Sequence, residues 1–199
     1  MVIGLTGPSG AGKSAVSAFL KSKGLPIIDA DLVYHDLLIP PSPCLCAIVS
    51  HFGEHVLKQS GELDRKALGA IVFSDASELE MLNKISHRFV MEKIEESLEA
   101  LLKSGAATVV LDAPQLFEAN ADRLCDAVIA VIAPREERID RIVKRDGIER
   151  SVAERRVDAQ LTEEFFRSHA DCIIENDADE ATLFQRTEKI LSQLGVTLP

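Results

Sequence analysis

Strands alternating with helices, a glycine-rich turn straight after the first strand, and a long helical stretch that interrupts the alternation point to a three-layer α/β/α fold. Strands joined through helices need right-handed crossovers, so the sheet is expected to be parallel and covered on both faces. Val2 to Thr6 is apolar enough for a buried strand and breaks at once into Gly7-Pro8-Ser9-Gly10. Lys13 to Lys23 follows, with Val16, Phe19 and Leu20 on one helical face and Gly24 as its stop. Leu25 to Ile28 reads as a second strand ending at Asp29-Ala30-Asp31, ahead of a short helix over Leu32 to Leu38. Pro40-Pro41-Ser42-Pro43 is the strongest breaker and marks a lobe boundary. Cys44 to Ser104 is expected to be helical throughout, with Asp75 and Glu78 as a cap. Val90, Ile94, Leu98 and Leu101 form its core-facing stripe, stopped by Gly105. Strands return at Thr108 to Leu111, Cys125 to Ala133 and Asp171 to Glu175, among helices at Arg135 to Arg145, Val152 to Gln160 and Glu180 to Leu194. The expected division is a core of residues 1–38 and 105–199, with an arginine-bearing lid at 135–160, and a helical insert of residues 39–104.

The 199 residues carry 32 Asp+Glu against 22 Lys+Arg, a formal net charge of −10. Coating a polymeric nucleic acid needs Lys and Arg in excess, so that class of partner is excluded. The longest apolar run, Ala127 to Ala133, is seven residues, where a membrane span takes about 18. Val2 to Leu5 is too short for a secretory signal core, and no membrane partner and a cytoplasmic location are the expectation. Cys44, Cys46, His51 and His55 raise the question of a zinc site. A single residue separates the two cysteines, where zinc ligands usually stand about two to four apart, so ordinary packing is expected instead.

Gly7-Pro8-Ser9-Gly10-Ala11-Gly12-Lys13-Ser14 matches G-x-x-x-x-G-K-[ST] without a mismatch, between a strand and a helix. Glycines let successive amides turn inward around phosphate oxygens, and the helix N-terminus adds partial positive charge. The loop therefore reads as a nucleotide-phosphate site, with Lys13 reaching the β- and γ-phosphates. Val109-Val110-Leu111-Asp112 is the expected companion, a buried strand delivering a carboxylate. Asp112 and the Ser14 hydroxyl are the candidate Mg²⁺ ligands.

Open parallel sheets bind ligands beyond the carboxyl ends of their strands. The second strand ends there at Asp29-Ala30-Asp31; Asp29 reads as either a helix cap or a base, and Asp31 is the better candidate base. Residues 135–156 hold eight basic against six acidic side chains, a local balance of +2 within the acidic chain. Arg138, Arg141 and Arg145 share one helix face. Singly each suits a solvated ion pair; as a group they suit a lid that stabilises a transferring phosphoryl group.

At this point the sequence resembles the dephospho-coenzyme A kinase family, a branch of the P-loop kinases. The resemblance rests on Gly4 to Gly7 running into the loop, on Asp29-Ala30-Asp31-Leu32-Val33-Tyr34-His35, and on Gly61 to Arg65 with Leu68 and Val72-Phe73. Asp112-Ala113-Pro114-Gln115-Leu116-Phe117-Glu118, Arg156 with Gln160, and Ala170 to Asn176 complete it. It implies transfer of the ATP γ-phosphate to the ribose 3′-hydroxyl of dephospho-coenzyme A, the last step of coenzyme A synthesis. By the same likeness the catalytic residues are Asp31 as base, Lys13 and a lid arginine at Arg141, and ATP is bound by Gly10, Ala11, Gly12, Lys13, Ser14 and Ala15, with Asn176 beside the adenine. The acceptor would meet Asp31, His35, Leu116 and Glu118. The chain departs from the family pattern at Pro8-Ser9, at Arg88 after His87, and at Gln115.

Two other readings share these motifs. A nucleoside or nucleotide kinase of the same fold would use the same loop, but the Asp29-Ala30-Asp31 segment and the long helical insert disfavour it. A nucleotide-dependent switch reading guanine would need Asn-Lys-x-Asp, and Asn83-Lys84-Ile85-Ser86 lacks the Asp.

Overall fold

The computed structural model describes residues 1–196 and 198. The chain divides into two compact units, residues 1–28 with everything from Ala100 onward, and residues 29–99. The second unit begins at Asp29, ahead of the Pro40-to-Pro43 stretch.

A five-stranded parallel sheet organises the first unit, in the order β2-β3-β1-β4-β5. The strands are β1 (Val2–Thr6), β2 (Ile27–Asp29), β3 (Val109–Asp112), β4 (Ala127–Ile132) and β5 (Cys172–Glu175). β1 lies between β3 and β4, with Val2 opposite Val109 and Ile3 opposite Ala127. Every residue of β1, β3 and β4 is buried, as continuous apolar runs demand when helices cover both faces. The second strand starts later than expected. Leu25 is instead a core residue, and Pro26 offers only its carbonyl, to the Val110 N–H at 2.9 Å.

The helices of this unit are α1 (Lys13–Ser22), α6 (Arg135–Asp146), α7 (Arg150–Asp158), α8 (Glu163–His169) and α9 (Glu180–Gln193). Val16 and Leu20 of α1 and Leu183, Ile190 and Leu191 of α9 pack on one side of the sheet with Ile3, Leu5 and Ile129. Phe166 of α8 covers Ala130 and Ile132. α8 went unread in the sequence because Phe165-Phe166 is too short for a period to emerge; the Thr162 hydroxyl starts it by accepting from the Phe165 N–H.

The second unit contains α2 (Ala30–Asp36), α3 (Pro43–Phe52), α4 (Arg65–Val72) and most of α5 (Ala76–Lys103). Asp29 caps α2 by accepting from the Leu32 N–H at 3.0 Å, and Ser42 and Asp64 cap α3 and α4. Ile48, Phe52, Val56, Leu63, Leu68 and Val72 form its core. The expectation of helix throughout 44–104 fails at Gly53, over 57–64 and over 73–75. Leu57 and Leu63 form an antiparallel bridge around a turn in which the Lys58 N–H donates to the Glu62 carbonyl at 2.8 Å and Gly61 takes φ +82°. Cys44 is core there and Cys46 exposed, and His51 Nε2 lies 2.9 Å from Glu78.

Candidate active site

The loop from Gly7 to Ser14 joins β1 to α1, and its glycines are required twice over. Gly7, Gly10 and Gly12 have φ of +146°, +79° and +100°, which only glycine adopts freely. A Cβ would also meet the Val131 carbonyl oxygen at 2.2 Å from Gly7, the Arg138 carbonyl oxygen at 2.6 Å from Gly10, and Asn176 Nδ2 at 2.1 Å from Gly12. The loop is therefore pressed against β4, α6 and the residue after β5. The first turn of α1 carries no acidic side chain, so its N-terminal amides keep their positive end toward an anion. Ser14 is exposed at that end, beside Lys13 and half-buried Ala15.

The structure brings the two sequence-predicted charges together. Lys13 Nζ is bonded to Asp112 Oδ1, with 14% and 6% of the side chains exposed. Asp112 comes to this point because β3 lies beside β1 and ends next to the loop, its N-terminal neighbours wholly buried. Among the described residues no group of three or more His, Cys, Asp or Glu gathers as a metal cage. A hydroxyl and one carboxylate, with phosphate oxygens, are hard oxygen donors of the kind that suits Mg²⁺, which keeps several of its waters.

α6 and α7 form an arm with its own small core of Ile139, Ile142, Ala153 and Val157. Most of its arginines are engaged by carboxylates. Arg135 donates to Asp158 at 2.8 Å, Arg150 to Asp140 at 2.6 Å, and Arg145 and Arg156 both to Asp146, at 2.6 and 2.5 Å. Hydrogen bonds from Arg145 and then Arg156 lower the Asp146 carboxyl to about 2. Arg141 is placed differently: it donates to the Gly10 carbonyl at 3.2 Å, to the Asn176 carbonyl at 3.3 Å and to Glu137 at 2.7 Å. Arg138 is buried and donates through Nε to the Ser9 carbonyl at 3.0 Å and through Nη2 to Gln160 Oε1 at 2.9 Å. The three arginines that share a face on paper thus have three different environments.

Asn176 is buried, and its Nδ2 donates to the Ala11 carbonyl at 2.8 Å, so this amide is spent on the loop itself. An open cavity of about 260 Å³ lies beyond the carboxyl ends of β4 and β5, lined by Ala133, Pro134, Arg167, Asn176 and Asp177.

In the second unit Asp31 is exposed in the first turn of α2. His35, at the other end of that helix, has Nδ1 at 2.6 Å from Arg65 Nη2, so the imidazole accepts there and its other nitrogen carries the proton. A second cavity, of about 200 Å³, is lined by His35, Leu38, Ile39, Lys58, Glu62 and Arg65. Leu116 is fully buried, and a Cβ on Gly4 of β1 would lie 2.8 Å from its Cδ2. Glu118 is exposed, on the turn that follows β3.

The sequence model of the dephospho-CoA kinase family matches residues 1–182. The chain belongs to the dephospho-CoA kinase family. A dephospho-CoA kinase of Shouchella clausii is 35% identical over 97% of this chain and 98% of its own. A solved dephospho-CoA kinase from Campylobacter jejuni superposes with a TM-score of 0.73 at 30% identity, covering 97% of this chain and 96% of that one. A crystal structure from Thermus thermophilus gives 0.80 at 32% identity, covering 98% and 97%. The protein is accordingly an ATP-dependent kinase. Sequence reasoning missed what Arg138 does in this dephospho-CoA kinase family member, and gave Gln160 no role beyond the likeness. A buried basic residue at the start of an otherwise ion-paired helix looks like its neighbours in one dimension.

Proposed function

We propose that the protein transfers the γ-phosphate of ATP to the ribose 3′-hydroxyl of dephospho-coenzyme A, the final step of coenzyme A synthesis, in the cytoplasm. The observation that carries this reading is a phosphate loop with its Lys13–Asp112 pair, in a chain of this family. Amides of the loop and of the α1 N-terminus bind the donor phosphates, and Lys13 exchanges its bond to Asp112 for the β- and γ-oxygens. The Ser14 hydroxyl and the Asp112 carboxylate would hold Mg²⁺, which when bound neutralises charge on those oxygens. Asp31, two residues past the end of β2, accepts the proton of the attacking hydroxyl. The new bond joins the 3′-oxygen to the γ-phosphorus as the bond to the ADP oxygen breaks. Arg141, held at the loop by the Gly10 and Asn176 carbonyls, contributes positive charge beside the donor. The cavity next to Asn176 offers room for the adenine, and the cavity beside His35, Lys58 and Arg65 offers cations to an acceptor diphosphate.

The test is ATP consumption with dephospho-coenzyme A, compared with uridine and nucleoside monophosphates, the product being identified by mass. Phosphorylated dephospho-coenzyme A is expected; turnover confined to the other acceptors would sink the reading. Slow, acceptor-independent hydrolysis that prefers GTP would sink it too, in favour of a switch.

A further inference from the structure

Both backbone polar groups of Ser9 are taken by side chains from the arm. Its N–H donates to Gln160 Oε1 at 3.1 Å and its carbonyl accepts from Arg138 Nε at 3.0 Å, while Arg138 Nη2 donates to the same Gln160 oxygen at 2.9 Å. The three residues close a ring of hydrogen bonds. Arg138 is 6% exposed, and its two acceptors in this ring are uncharged. Burying a guanidinium is costly, and burial pushes it below its ordinary range. Such a residue is held by geometry that surface arginines do not need. Gly10 sits directly against the Arg138 backbone, so loop and arm have no slack between them.

A trans peptide sets its N–H on the side opposite its carbonyl. Holding the Ser9 carbonyl outward on Arg138 therefore turns the Gly10 N–H the other way, toward the inside of the loop. Asn176 does the same two peptides further on, since its bond to the Ala11 carbonyl sets the Gly12 N–H. Gln160 fixes the remaining freedom, because a Ser9 N–H bonded to it prevents the preceding peptide from flipping.

We propose that Arg138 and Gln160 are positioning residues for phosphoryl transfer: a clamp through which the α6–α7 arm orients the Ser9–Gly10 peptide for the donor phosphates. The clamp rests on the reading of residues 7–14 as the ATP-phosphate loop. It assigns a role to the arm's first turn and to Gln160, the second residue past α7, that is separate from any contact with the transferring group.

Arg138→Met and Gln160→Leu test it, alone and together. Each single variant is expected to weaken ATP binding, measured by direct titration, by about tenfold or more, the scale of a hydrogen bond to a charged group. kcat should fall as well, while KM for dephospho-coenzyme A stays within about twofold. The double variant should be little worse than the poorer single one, because both break one ring. Arg138→Lys, which keeps the charge but has a single donor nitrogen, should recover part of the loss and serves if Arg138→Met does not fold. A merely structural role would lower Tm and leave the ATP titration unchanged; that result, or losses that multiply in the double variant, overturns the clamp. Amide hydrogen exchange separates this from the underlying reading. Ser9 should be protected in the parent protein and unprotected in both single variants with no nucleotide added. Unchanged protection overturns the clamp even if the parent binds ATP, whereas failure of the parent to bind ATP overturns the phosphate-loop reading instead.

Discussion

Lys13 and Asp112 pair across the gap between the first residue of α1 and the last residue of β3, both largely shielded from water. Removing one partner of such a pair leaves a buried charge without compensation, at a cost of about 3 kcal/mol. Lys13→Ala should therefore lower both stability and turnover, the latter by about 10² or more, since phosphate positioning is lost with the charge. Adding Asp112→Ala should restore much of the stability and none of the activity. Chemical denaturation and an initial-rate assay on the two variants check this; equal destabilisation in both would contradict it.

Gly12 is constrained by φ +100° and by the approach of Asn176 Nδ2. Gly12→Ala should cost more than about 1 kcal/mol, the scale of a side chain forced into a left-handed conformation, and should displace the Asn176 amide. Gly12→Ala with Asn176→Ala removes the collision and keeps the backbone strain. Its stability should lie between those of the parent and Gly12→Ala. Thermal melts of the three proteins decide it.

Asp31, exposed on α2, is the proposed base. Asp31→Asn should keep ATP affinity while lowering kcat by about 10² or more, the scale of general-base loss. Unchanged turnover would remove it from the mechanism.

Asp146 reports on the arm through pH. Its carboxyl is lowered to about 2 by Arg145 and Arg156, from an ordinary value of 3.8. A depressed acid stabilises the native state above its unfolded pKa, and that contribution disappears as pH falls toward the folded value. The arm's pairing should therefore weaken between about pH 4 and pH 2, and be screened by salt, since the carboxylate is exposed. Carboxyl NMR titration should show Asp146 rising toward its ordinary value in Arg145→Ala, and by less in Arg156→Ala.

Much of the scaffold was legible because its signals are local. β1 at Val2–Thr6 and the loop through Ser14 follow from neighbouring residues, whereas Asp29 reads as cap or base until its bond to the Leu32 N–H is seen. The Leu57–Leu63 bridge was not legible, because a helical composition hides a turn that a single glycine and the packing of Val56 and Leu63 create. The packing of Leu116 beneath Gly4 was not legible either, because an apolar residue in a motif reads alike whatever it touches.

By itself the sequence determined the alternation of strands and helices, the phosphate loop, and the presence of a carboxylate at the end of β3. Those depend on residues within a turn or a strand of one another. Only the tertiary structure decided which arginine backs the loop, since Ser9 lies 129 positions from Arg138 and 151 from Gln160. Helical spacing puts Arg138, Arg141 and Arg145 on one face but leaves open what that face meets. The difference between a solvated ion pair and a buried clamp is desolvation, which arises only when β1, β4 and β5 bring the loop and the arm together.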